Sequence, residues 1–260
     1  MPSARHGCTT RLRRRVLVGV CVLVIVAASA TVTTLVLTGR SIPESSCGDA
    51  NHPVDILLVG SSVASGRDAL PADENGWGAL LAAELCRRYN LRVHNAATPG
   101  AMVAHARLEL PALLEHFEPR GVIVGLSTAN EGMASAATDG VASATAQRYE
   151  DVLYELADEI AAAPTVQLVV LGGVYPCNCY AAHHYMALRS LNARMLARQS
   201  NSTGFPVIDF LGAMDDGHGN WRELEWYDAG HPNTLGHRRM FEAIDPTIFA
   251  ALAVARSRAM

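Results

Sequence analysis

The sequence predicts a single doubly wound α/β domain built on a parallel sheet, and three observations carry that expectation. Short apolar runs alternate with longer helical patterns, five times over roughly 205 residues. The runs are continuously apolar rather than alternating, as strands covered on both faces must be. Half of the 260 residues are hydrophobic, ample for a sizeable core.

In chain order, the first strand is "DILLV" (55–59), which halts at Gly60 before two adjacent serines. A helical pattern at 77–89 leads to "LRVHN" (91–95), and a second at 102–117 leads to "GVIVG" (121–125). Helix 142–162 precedes a strand at 166–172, and helix 181–199 precedes a strand at 206–210. A last helical pattern covers 234–255. Five β-α pairs of this kind make one layered domain, taken here as residues 53–257.

What lies before that domain differs in character. Residues 1–15 form a basic tail, and residues 16–37, "VLVGVCVLVIVAASATVTTLVL", are 22 uncharged residues. A helix of about 20 such residues crosses a hydrocarbon core. The arginines ahead of it favour an N-terminus kept in the cytoplasm. The run reads as a transmembrane signal anchor or as a cleaved signal peptide with an Ala28-Ser29-Ala30 cleavage site. The first makes a single-pass membrane protein with its domain on the extracytoplasmic side, the second a secreted one. Residues 38–52 are polar, turn-rich linker.

Charge and residue usage exclude several functions. All 21 basic residues are arginine, so Schiff-base lysine chemistry and a P-loop lysine are out. Six arginines and no acids lie in residues 1–40, leaving 15 arginines against 25 acids and a net charge of −10 in the remainder. Such a body repels a phosphate backbone, so no nucleic acid partner is expected. In an oxidising compartment Cys47, Cys86, Cys177 and Cys179 are candidates for two disulfides, with three connectivities open. Cys177-x-Cys179 ahead of His183 and His184 lacks a second ligand pair at zinc spacing, so no metal is expected. Asn201-Ser202-Thr203 is a glycosylation sequon, meaningful in a eukaryotic source.

In doubly wound sheets ligands bind beyond the carboxyl ends of the strands. The residues there are Gly60-Ser61-Ser62 after the first strand, Gly100 in "NAATPGAM" after the second, and Asn130 in "GLSTANEG" after the third. "WYDAGHPNTLGH" adds Asp228 and His231 near the end. A serine hydroxyl becomes a nucleophile when an imidazole takes its proton and a carboxylate orients the imidazole. Asp228-x-x-His231 supplies both within one turn. Backbone N–H groups at Ser62 and Gly100, with the Asn130 amide, are the kind of donors a developing oxyanion needs. Each residue alone is more simply a cap or a turn residue, as are Ser62 and Gly100 in isolation. Their joint placement after successive strands is the argument. His183, His184 and His237 are left to surface or structural roles.

These residues resemble the SGNH hydrolase family, also called GDSL-like lipases and acylhydrolases, over about residues 54–250. "GSSVASG" is similar to the family's first block, Gly100 to its second, Asn130 to its third, and "DAGHPN" to its fifth. The resemblance implies a flavodoxin-like three-layer α/β/α fold, with Ser62 as nucleophile and Asp228 and His231 completing the triad. It also implies an oxyanion hole of Ser62, Gly100 and Asn130, and no cofactor. Ser61 stands where the family usually has aspartate, and "STANEG" is looser than its Gly-x-Asn-Asp. The absence of Gly-x-Ser-x-Gly separates the chain from α/β-hydrolases. The function implied is a serine esterase acting on a small-molecule, lipid or carbohydrate ester. The alternatives are an inactive binding module or an O-acyltransferase with the same site.

Overall fold

The computed structural model of the chain describes residues 54–200 and 204–257. The basic tail, the apolar run 16–37, the linker, Cys47 and the Asn201 sequon lie outside the described residues. Among the described residues, no helix is long and apolar enough to cross a membrane.

Five strands form the sheet: β1 (Val54–Gly60), β2 (Leu91–Asn95), β3 (Gly121–Gly125), β4 (Leu168–Gly172) and β5 (Val207–Ile208). All pair in parallel, in the order β2-β1-β3-β4-β5. Ile56, Leu57, Leu58, Val122, Ile123 and Val124 are all buried, so neither face is open to water. That is why the strands read as unbroken apolar runs rather than as alternation. The order reverses between β1 and β3, the crevice where doubly wound proteins bind ligands.

The eight helices among the described residues are α1 (Ala72–Asn75), α2 (Trp77–Tyr89), α3 (Val103–Phe117), α4 (Asp139–Ala161), α5 (Ala182–Gln199), α6 (Phe210–Met214), α7 (Thr234–Glu242) and α8 (Ala250–Ser257). Trp77, Leu81 and Leu85 fall on one stripe of α2, four residues apart, and join Ile56, Leu58, Met240 and Leu252 in a single core. On the other face, α3 packs on β1 and on α4, and α4 packs on β4 and α5. The result is three layers.

The larger shifts from the expected boundaries each have a local reason. Strand β4 starts at Leu168 rather than 166, because the Val166 N–H closes a turn onto the Ala163 carbonyl. Strand β5 is two residues long rather than five. The Asp209 carboxylate accepts from Gly212 N (2.9 Å) and caps α6, so Phe210 enters a helix. Helix α4 begins three residues early, where Thr138 accepts from Val141 N. The long final helix is broken at Pro246, which lacks an N–H and pushes the preceding residue out of helical conformation. Asp245 caps a 3-10 turn over Pro246–Phe249 before α8.

Candidate active site

Strands β1 and β3 end side by side, with Gly60 paired to Gly125. A methyl group at Gly60 would sit 2.6 Å from the Gly125 carbonyl oxygen, so only glycine allows this approach. Ser61 N–H continues the ladder by donating to Gly125 O (3.1 Å). The next residues coil into a turn, with Ser65 N–H on Ser61 O (2.9 Å) and Arg67 N–H on Ser62 O (3.1 Å). A set of turns follows Ser62, and the first long helix waits until Trp77.

The two serines part company here. The Ser61 side chain faces the core at 0 % exposure, beside the buried Tyr175 hydroxyl. Ser62 keeps 8 % exposure, and its Oγ lies 2.9 Å from His231 Nε2.

His231 and Asp228 sit on a small hairpin of β6 (Trp226–Asp228) and β7 (His231–Pro232), where they pair directly across Ala229-Gly230. The His231 Nδ1 lies 2.8 and 3.0 Å from the two Asp228 oxygens. A carboxylate only accepts, so the ring proton is on Nδ1 and the Nε2 lone pair faces the Ser62 hydroxyl. Burial pushes the Asp228 carboxyl upward, but hydrogen bonds from Gly230 N–H and His231 outweigh it and hold the group below its ordinary range. Asp228 is thus an anion at neutral pH.

The hairpin is anchored on three sides. Asn233 caps α7 through Leu235 N and Gly236 N, and its amide donates back to Leu224 O and Trp226 O. The Ala229 carbonyl accepts from Asn178 N–H (2.8 Å) and Trp221 Nε1–H (3.2 Å). Asn178 lies between Cys177 and Cys179, which are bonded to each other as a disulfide. Of the three open connectivities, this pairing is the one formed, and Cys86 is also disulfide-bonded. It leaves no thiolate at Cys177 or Cys179 for a metal.

Gly100 adopts φ +81°, the left-handed region, with open space where a side chain would be. Among the described residues, neither the Ser62 nor the Gly100 N–H donates to a protein acceptor. Asn130 donates through Nδ2 to Ala101 O (3.0 Å), and Glu131 accepts from Val103 N (2.7 Å), which ties the loop after β3 to the loop after β2. Glu131 carried no signal in sequence.

His237 is wholly buried beside this site. Its Nδ1 accepts from Trp77 N–H (3.3 Å) and its Nε2–H donates to Arg67 O (2.8 Å). Burial pushes its imidazole down to about 4, so it stays neutral and structural. His183 and His184 both bond the Ala136 carbonyl, also in structural roles. Asp68 was missed altogether: its Oδ2 lies 3.6 Å from His231 Nδ1. Among the described residues Asp68, Asp228 and His231 are the one group of three that could converge on a metal ion. A shallow cavity of about 230 Å³ lies elsewhere, at the amino end of β4 beside Phe205 and Pro206, and holds none of these groups.

Residues 58–239 match the family model described as GDSL-like lipase/acylhydrolase, and the chain belongs to that family. Solved structures share its fold. TesA is 23 % identical with a TM-score of 0.56, covering 76 % of this chain and 99 % of its own. The lipase Lip_vut3 from a goat rumen metagenome is 16 % identical with a TM-score of 0.60, over 73 % of this chain and 95 % of its own. The psychrotrophic esterase EstA from Pseudoalteromonas sp., in a structure inhibited by monoethylphosphonate, is 19 % identical with a TM-score of 0.52, over 73 % and 93 %. No curated protein matches the chain.

Proposed function

We propose that the protein is a serine esterase that cleaves an O-acyl or lipid ester through an acyl-enzyme intermediate. The observation that carries this reading is the unbroken relay of Ser62 Oγ, His231 and Asp228, at 2.9 and 2.8 Å. Ser62 Oγ bonds to the acyl carbon as His231 Nε2 takes the hydroxyl proton. Asp228 holds the ring and stabilises the imidazolium. The carbonyl oxygen, now an anion, receives the Ser62 and Gly100 N–H groups and the second amide proton of Asn130. Collapse breaks the bond to the leaving alcohol, which takes the proton from His231, and water repeats the cycle to free the acid. Leu70, Tyr227 and Leu235 are exposed on the segments that flank His231, which suits a substrate with an apolar portion.

Ser62→Ala is expected to lower kcat/KM by about 10³-fold or more with the fold retained, whereas Ser61→Ala keeps hydrolysis. A phosphonate ester should add covalently at Ser62, detected by peptide mass, and should fail to add in His231→Ala. A folded wild-type protein that forms no adduct and hydrolyses neither short nor long acyl esters would refute the proposal.

A further inference from the structure

We propose that Asp68 is a positioning residue for His231, a second carboxylate that stabilises the imidazolium at the same ring nitrogen that Asp228 faces. The inference rests on the Ser62–His231 reading above.

The motivating feature is a buried oxygen that accepts no hydrogen bond. Asp68 Oδ2 has no hydrogen-bond partner among the described residues and is shielded from solvent. An unpaired buried acceptor is costly, so such atoms call for an explanation. Two cations or potential cations approach it: Arg67 Nε at 3.5 Å, on a side chain 53 % exposed, and His231 Nδ1 at 3.6 Å. At 3.6 Å the His231 contact is too long for a hydrogen bond. It is short enough to act strongly once the ring carries charge. Asp68 is also the drier of the two carboxylates, at 19 % exposure against 44 % for Asp228. Water therefore screens Asp228 more, and a charge appearing on the ring feels Asp68 through less solvent.

The backbone holds Asp68 in this place. Its φ is +68°, in the left-handed region that disfavours most side chains but that Asp and Asn tolerate. Ala69 N–H bonds Gly66 O (3.1 Å), and Gly66 is itself left-handed. The turn is stapled twice to α7, the helix that directly follows His231. Leu70 N–H donates to Thr234 Oγ1 (2.9 Å), and His237 donates to Arg67 O. Asp68 and His231 are thereby tied to one element. When the ring takes the Ser62 proton, two carboxylates face Nδ1–H instead of one.

The test compares wild type, Asp68→Asn, Asp228→Asn and the double variant with a short-chain ester. Asn suits the left-handed backbone and removes only the charge. Asp68→Gly serves as a second variant that no backbone strain can unfold. Both Asp68 variants should lower kcat about 5-fold with KM unchanged, and adding Asp68→Asn to Asp228→Asn should cost about 10-fold more than it costs wild type. A readout free of turnover is the His231 Nδ1 proton resonance, which should persist in Asp228→Asn and vanish in the double variant. If wild type cleaves no ester, the esterase reading fails, and the resonance still decides the role of Asp68. Equal kcat for wild type and both Asp68 variants, with the resonance unchanged by Asp68→Asn in the Asp228→Asn background, overturns the proposal.

Discussion

Under the esterase reading, Asn130 would serve both architecture and chemistry. One amide proton goes to Ala101 O and fixes the loop that carries Gly100, which leaves the other for an anion. Under the esterase reading, Asn130→Ala is expected to reduce kcat by about 10²–10³-fold, the usual loss for one oxyanion donor. Loss of the Ala101 bond should cost only about 1 kcal/mol of stability. Steady-state kinetics beside thermal unfolding checks both, and a drop in melting temperature as large as that of a core truncation would contradict the separation. At this scale chemistry leaves a pattern in the sequence at Ser62, Gly100, Asn130, Asp228 and His231. In the structure Ser62, His231 and Asp228 are hydrogen-bonded in a row, and Asn130 holds the loop that carries Gly100. The sequence was illegible at Asp68, whose placement depends on a left-handed turn and two staples from a helix 170 residues away in the chain. Ser61 and Ser62 differ only in the structure, where Ser62 Oγ meets His231 Nε2 and Ser61 lies beside the Tyr175 hydroxyl; neighbouring residues of one type carry no such information.

Among the elements, the hairpin β6–β7 was hidden for a plain reason. Strands of three and two residues are too short to show alternation, and the Asp-x-x-His spacing looks like a turn from either direction. The sheet was readable because its strands are buried on both faces. Two members were overestimated: β4, whose start gives way to the Val166 turn, and β5, cut short by the Asp209 cap. The hairpin leans on α7 at Gly236, where a methyl group would collide with the Glu225 carbonyl oxygen and crowd Pro232. Backbone and a proline ring cannot step aside. Gly236→Ala is therefore expected to displace the segment that carries Asp228 and His231, lowering kcat/KM at least about 10-fold and stability by about 1–3 kcal/mol. Kinetics and urea unfolding measure the two effects, and wild-type values in both would show that the hairpin adapts.

For the molecule as a whole, the buried His237 sets an acid limit. Its ordinary value of 6.5 falls to about 4 in the folded protein, first because burial disfavours the charged ring. Between those values the unfolded chain binds more protons than the folded one, so stability declines as pH falls from about 6.5 toward 4. The interval corresponds to about 3 kcal/mol at its acid end. Asp228 acts in the same direction: its lowered carboxyl contributes stability above the unfolded value and loses it as pH falls through the folded one. Urea midpoints measured from pH 7 to pH 4 should fall, and should fall less in His237→Gln; equal slopes would exonerate His237. The arrangement of the chain through the sheet has a consequence for biosynthesis. All five strands lie between residues 54 and 208, whereas the hairpin bearing the histidine spans 226–232. A ribosome therefore makes the whole sheet, with its serine already at the end of β1, before the histidine that would activate it exists. Under the esterase reading, any chain released short of Trp226 is inert however well it folds, so nascent and prematurely terminated products would carry no esterase activity.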